Sequence, residues 1–297
     1  MSTTTSTTTE DLRPRRSVLY MPGANARALE KAQTLDADAL ILDLEDAVAP
    51  DAKLEARDRV CEAAASGAYG HREIAIRANG LDTQWGPDDI RAAAAAGPDA
   101  VLVPKVGSVA DIATIERLLE EGGAPDTTRI WAMLETPDGI VDAAAICASS
   151  PRLTVLVMGT NDITKELHAV HVPGRAPLLY SLSHCLMAAR AAGKVILDGV
   201  YNDIKNAEGF EAECVQGAQM GFDGKTLIHP SQLEPCNRIY APSDDEVEQS
   251  RKVIEAWDTA RAEGKGVVTV DGRMIENLHV DNAKRVLAVA EAIANQG

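Results

Sequence analysis

Aromatic side chains are almost missing: Phe, Trp and Tyr together make up 3% of 297 residues, although 45% of the chain is hydrophobic. Its core must therefore be built mostly from Ala, Val, Leu and Ile, which suits tightly packed strands and helices. No run of 18 apolar residues occurs, so no membrane-spanning helix and no membrane partner are expected. No basic run occurs either, and a formal net charge of −16 speaks against a nucleic-acid-binding face or a polybasic membrane patch. The five cysteines, Cys61, Cys147, Cys185, Cys214 and Cys236, form an odd set with no C-x-x-C pair. They suggest neither a disulfide framework nor a zinc site, and they suit a reduced, cytoplasmic compartment. A P-loop, a G-x-G-x-x-G turn and a G-x-S-x-G elbow are all lacking. Nucleotide hydrolysis, hydride transfer and serine hydrolysis lose support accordingly. Residues 1–10 are a Ser/Thr-rich tract without the apolar stretch of a signal peptide, and 1–14 read as a disordered tail.

What is present is an alternation. Eight short β-type runs, 17–20, 39–44, 73–77, 100–103, 130–134, 154–158, 195–198 and 224–228, recur along the chain. Several, such as Val101-Leu102-Val103, are continuously apolar, the mark of strands covered on both faces. Helical stretches are expected at 51–65, 108–121, 137–148, 178–192 and 207–220, as parallel strands require crossovers. Eight such units predict a (β/α)8 TIM barrel over 15–240, with a doubly wound sheet as the alternative. A barrel of this kind commonly uses about 250 residues as one domain. Beyond it, 241–297 reads as an extension: a helix at 243–263 with a Ser-Asp-Asp-Glu cap signal, a Gly/Val hairpin at 264–272 and a helix at 282–295. This extension is expected to cover the barrel mouth, of its own chain or of a neighbouring subunit.

In such barrels the active site forms at the C-terminal ends of the strands. Those ends read Pro22-Gly23, Glu45-Asp46, Arg77, Lys105, Glu135, Asn161-Asp162, Asp198 and His229. Glu135 and Asp162 follow adjacent strands, about 5 Å apart at the backbone, and can converge on one cation. Glu45 and Asp46 are placed to bind waters on that cation. Carboxylates and waters without His or Cys select a hard ion such as magnesium. For any one of these acids the bland role, a helix cap or a surface charge, stays open. Arg77 can hold a substrate carboxylate or a developing enolate oxygen, or serve as a structural partner for Glu45 or Glu135. Lys225 can pair with the acids or face a phosphate. His229, before Pro230, is equally readable as structural or catalytic.

These residues carry a family resemblance. Arg16-Ser-Val-Leu-Tyr-Met-Pro-Gly23, Leu42-Asp-Leu-Glu-Asp-Ala-Val48, Arg77-Ala-Asn-Gly80, Val103-Pro-Lys105, Glu135-Thr-Pro137, Met158-Gly-Thr-Asn-Asp162 and the segment 221–230 stand in order. Together they resemble the citrate lyase β-subunit-like family of the HpcH/HpaI aldolase group, which includes malyl-CoA and citramalyl-CoA lyases. The resemblance implies a magnesium-dependent barrel, with manganese as a substitute ion, often a trimer or hexamer. It implies Glu135 and Asp162 as metal ligands, Arg77 on the substrate, and an acyl-coenzyme A ligand near the first strand. There Tyr20, Arg27, Lys31 and Lys105 are the expected contacts, Arg27 and Lys31 lying one helical turn apart.

Cleavage of a malyl-CoA-type ester to glyoxylate or pyruvate and an acyl-CoA is the expected reaction. Hydrolysis of (3S)-malyl-CoA to malate and coenzyme A is the alternative, and a β subunit in a citrate lyase complex the second alternative. The tail bears on that choice. Lyases similar to this chain carry an aspartate in a Gly-Lys-Met-Ile/Val-Asp-x-Pro-His-like segment. Here the segment reads Asp271-Gly-Arg-Met-Ile-Glu276-Asn-Leu-His-Val280, with Glu276 in the aspartate's place and Leu278 in the proline's. The added methylene moves the carboxyl by roughly 1 Å, enough to matter for a positioned acid or base. The Glu-Asn-Leu-His version resembles the malyl-CoA thioesterase branch, in which that carboxylate directs water to the thioester.

Overall fold

A computed structural model describes residues 13–264 and 266–296. The expected tail at 1–14 lies outside these residues except for Arg13 and Pro14. Residues 15–240 form one compact unit, and 241 onward belongs to a second.

In the first unit eight strands close into a barrel in sequence order: β1 (Ser17–Pro22), β2 (Ala39–Asp43), β3 (Glu73–Arg77), β4 (Ala100–Val103), β5 (Arg129–Leu134), β6 (Leu153–Met158), β7 (Val195–Asp198) and β8 (Gly224–Leu227). Every neighbouring pair is parallel, including β8 with β1, so the doubly wound alternative is excluded. Alternation along each strand sorts the side chains into two layers. Val18, Ile41, Ala75, Leu102, Trp131, Val155 and Leu197 fill the barrel interior. Leu19, Leu40, Leu42, Ile76, Val101 and Leu156 point outward into the layer shared with the helices. Trp131, fully buried, is the one large aromatic among these aliphatic interior residues.

The helices of this unit are α1 (Ala26–Ala32), α2 (Lys53–Ala65), α3 (Gly86–Ala96), α4 (Val109–Glu121), α5 (Pro137–Val141), α6 (Ala143–Ala148), α7 (Thr160–Glu166), α8 (Leu179–Ala191), α9 (Ala207–Met220) and α10 (Leu233–Tyr240). The single helix expected at 137–148 is divided at Asp142, whose ψ of 7° leaves the helical range.

The second unit contains α11 (Asp244–Ala262), strands β9 (Val268–Val270) and β10 (Arg273–Ile275), and α12 (Asn277–Ala294). Ser243 caps α11 in the expected capping box with Glu246. The hairpin differs from the expectation. Asp271 and Gly272 form its turn, at φ 48° and 77°, and the second strand runs on to Ile275. An Asp-Gly pair adopts positive φ at both turn positions with least strain. Consequently α12 starts five residues before the expected 282. Val253, Trp257, Val270, Ile275 and Val280 make this unit's own small core.

Candidate active site

Because β2 and β3 are aligned with Asp43 opposite Arg77, the last inward-facing residues of the two strands meet as a charge pair. Asp43 receives Arg77 Nε at 2.6 Å and Nη2 at 2.7 Å, a two-pronged contact that fixes the guanidinium plane. Arg77 Nη1 meets Glu45 at 2.7 Å and the mostly exposed Asp46 at 3.5 Å. Tyr20, from β1, lies under the guanidinium, 4.8 Å from ring centroid to carbon. Burial opposes the charge of Arg77, but Asp43, with Tyr20 and Glu45 behind it, more than offsets this and holds its pKa well above the ordinary value. Glu45 and Asp46, expected to bind waters on a cation, have Arg77 as their cationic neighbour. Both face Arg77, whose fork can serve Asp43 and a third partner together.

A cavity of about 400 Å³ opens at these strand ends, lined by Tyr20, Asp43, Asp46, Arg77, Glu135 and Asp162, with Met133, Met158, Val200 and Ile228 as its apolar wall. Glu135 continues β5 and is buried; its Oε1 accepts the backbone N–H of Lys105 at 2.9 Å. Asp162 stands in the first turn of α7, straight after β6. Gly159 lies between them, and any side chain there would collide with Glu135: a Cβ would come within 2.2 Å of Oε2. Lys105, at a left-handed φ of 54°, has its pKa lowered by burial but raised further by Glu45, Asp162 and Glu135, for a net increase.

Five carboxylates, Asp43, Glu45, Asp46, Glu135 and Asp162, thus share the neighbourhood with two cations, Arg77 and Lys105. Burial first, then Glu45 and Asp162, push Glu135 up to about 8. Burial also pushes Glu45 up to about 7, against the pull of Arg77. Glu45 shares Arg77 with Asp43, which already takes Nε and Nη2 of the guanidinium. Such an excess of acid fits a hard divalent cation. Among the described residues no group of three or more His, Cys, Asp or Glu side chains is arranged for a metal. Two carboxylates with retained waters are the usual donor set for magnesium.

The other residues singled out in the sequence fall elsewhere. Arg27 and Lys31 are exposed on α1. Asp198 does not reach the mouth: it points outward into the helix layer, fully buried, where it meets Arg175 at 2.7 Å and Lys225 at 3.1 Å. Lys225 pairs with this acid and with Glu213 at 2.7 Å, which settles its role in favour of the acids. His229 is exposed, its Nδ1 accepting the Ser231 backbone N–H at 3.2 Å. Glu276 belongs to the second unit, just before α12, and its backbone N–H donates to His279 Nδ1 at 3.0 Å. Sequence reasoning gave no role to Asp43, which holds Arg77, or to Lys53, Asn79 and Asp89 behind it.

A closed parallel barrel with a carboxylate-rich cavity at the C-terminal ends of its strands defines a (β/α)8-barrel enzyme. The chain belongs to the HpcH/HpaI aldolase/citrate lyase family, which matches residues 16–230. A second family, C-C bond lyases of the TIM-barrel fold, matches residues 171–294. The chain is 51% identical over 281 residues to the (3S)-malyl-CoA thioesterase of Cereibacter sphaeroides (strain ATCC 17029 / ATH 2.4.9), covering 95% of this chain and 96% of that protein. It is 38% identical over 284 residues to citrate lyase subunit beta of Escherichia coli (strain K12), covering 94% of each. Among solved structures, CitE from Mycobacterium tuberculosis in complex with magnesium, acetoacetate and coenzyme A matches with a TM-score of 0.74 at 28% identity, covering 93% of this chain and 97% of that one. No helix among the described residues is long and apolar enough to cross a membrane.

Proposed function

We propose that this chain hydrolyses the thioester of (3S)-malyl-CoA, releasing malate and coenzyme A. The observation that carries the reading is the cavity in which Arg77, clamped by Asp43, stands with the acid pair Glu135 and Asp162. The choice of thioester over carbon bond is supported by 51% identity to a relative named for that activity, and by Glu276 in the tail. This ordering reverses the sequence expectation, which placed the lyase first.

Glu135 and Asp162 would hold magnesium, which supplies a fixed positive charge that favours developing oxygen anions. Arg77 binds a carboxylate or the thioester oxygen as charge grows on it, with its plane already set by Asp43. Glu45, poised near 7, exchanges a proton at neutral pH. Glu276, of this subunit or a neighbouring one, is assigned to direct the water. The water oxygen bonds to the thioester carbon, the carbon–sulfur bond breaks, and the proton released by water goes to the departing thiolate. Tyr20, Lys105, Arg27 and Lys31 are assigned to the coenzyme A moiety, and a trimer or hexamer to the assembly.

Cleavage to glyoxylate and acetyl-CoA is the second reading, favoured by the same Arg77, which suits an enolate oxygen equally well. Pure protein given (3S)-malyl-CoA and magnesium tests the two. Free thiol with malate supports hydrolysis, and glyoxylate without thiol supports the lyase. Neither product from malyl-CoA removes both. Glu276→Gln is expected to stop thiol release with substrate binding kept, and unchanged thiol release would remove Glu276 from the site.

A further inference from the structure

Lys53 opens α2, where the positive end of the helix disfavours a cation, and it is only 6% exposed. A buried lysine in such a place is costly unless all three of its protons are used. They are. Nζ donates to the backbone oxygens of Leu44 at 2.8 Å and Glu45 at 2.7 Å and to Asn79 Oδ1 at 2.7 Å. The Trp85 ring centroid lies 5.4 Å from the same nitrogen.

These contacts tie together the two loops that carry the arginine cluster. Leu44 and Glu45 follow β2, and Asn79 lies two residues after Arg77. Asn79 Nδ2 donates in turn to Leu44 O at 3.0 Å and to Asp89 at 2.5 Å, and fully buried Asp89 is held by Arg57 Nε at 2.6 Å. The Glu45 backbone is therefore held at both ends: its N–H by Asp43 at 2.8 Å and its C=O by Lys53. The same carbonyl also accepts the Val48 backbone N–H, at 3.1 Å, so Lys53 supplies the shorter of its two contacts and the one that reaches across to Asn79.

We propose that Lys53 is a positioning residue that holds the Glu45 carboxylate against Arg77 by clamping the carbonyls of residues 44 and 45. Lys53 acts through Glu45, so the inference rests on Glu45 being a working acid–base group of the proposed site.

Two measurements on the full chain test it. In Lys53→Met, hydrogen exchange of the 43–48 segment is expected to quicken at least about tenfold, with the other barrel strands unchanged. Turnover of (3S)-malyl-CoA with magnesium is then followed in a double-mutant cycle with Glu45→Gln. Lys53→Met is expected to lower kcat about tenfold with KM within about twofold, and to lower it no further in the Glu45→Gln background. Equal losses in both backgrounds, or unchanged exchange of 43–48, would overturn the positioning role. If Glu45→Gln alone leaves kcat unchanged, the assignment of Glu45 itself fails, a separate result. Should Lys53→Met not fold, Lys53→Gln, which keeps an N–H donor, is put through the same cycle with a smaller expected loss.

Discussion

Glu45 shows how a single residue reports on its surroundings. Its carboxyl is pushed up to about 7 because burial outweighs the pull of Arg77, with Asp46 and Asp43 adding to the push. A folded-state pKa above the ordinary 4.5 means that protonation favours the fold. The contribution is complete below 4.5 and is lost as pH rises through 7. For Glu45 it is on the order of 3 kcal/mol, at one unit of pKa per 1.36 kcal/mol. In EDTA, urea unfolding at pH 5 and pH 8 is expected to show a steep fall in stability for the native chain and a shallower one for Glu45→Gln. Parallel slopes would show that Glu45 has an ordinary carboxyl. That Glu135 and Asp162 line the cavity was legible in the sequence, because Glu135 directly follows one apolar strand and Asp162 lies four residues after the next. Asp43 was not. It sits inside the strand, and only the β2–β3 register, opposite Arg77, shows that it faces a cation.

At the scale of elements, the sequence pattern located all eight strands because an apolar run covered on both faces needs no partner to be recognised. It could not say which face an acid at a strand end takes. Asp198 reads like the other rim acids, yet β7 turns it outward to Arg175 and Lys225, while on β8 Thr226 lines the cavity in place of Lys225. One residue of phase separates a site acid from a structural one. Asp198→Asn would leave Arg175 and fully buried Lys225 sharing Glu213 alone. Removing one partner of a buried ion pair costs about 3–5 kcal/mol, so the melting temperature is expected to fall by roughly 10 °C. Magnesium affinity is expected to stay unchanged, since none of these side chains lines the cavity. An unaltered melting temperature would contradict the network. The hairpin makes a similar point locally, since Asp271-Gly272 is the turn and not the end of the element.

Over the whole molecule, the barrel and its family follow from eight strands and a motif order running from Arg16 to Pro230, and the family is matched over residues 16–230. What that level leaves open is the bond broken, because a lyase and a thioesterase can share the acid pair, the arginine and the acyl-coenzyme A ligand. The choice falls on where water goes. A single turnover of (3S)-malyl-CoA with magnesium in ¹⁸O-labelled water reads it directly. The account predicts free thiol and malate carrying one ¹⁸O in the carboxylate formed from the thioester. Acetyl-CoA and glyoxylate, with no labelled malate, would contradict it.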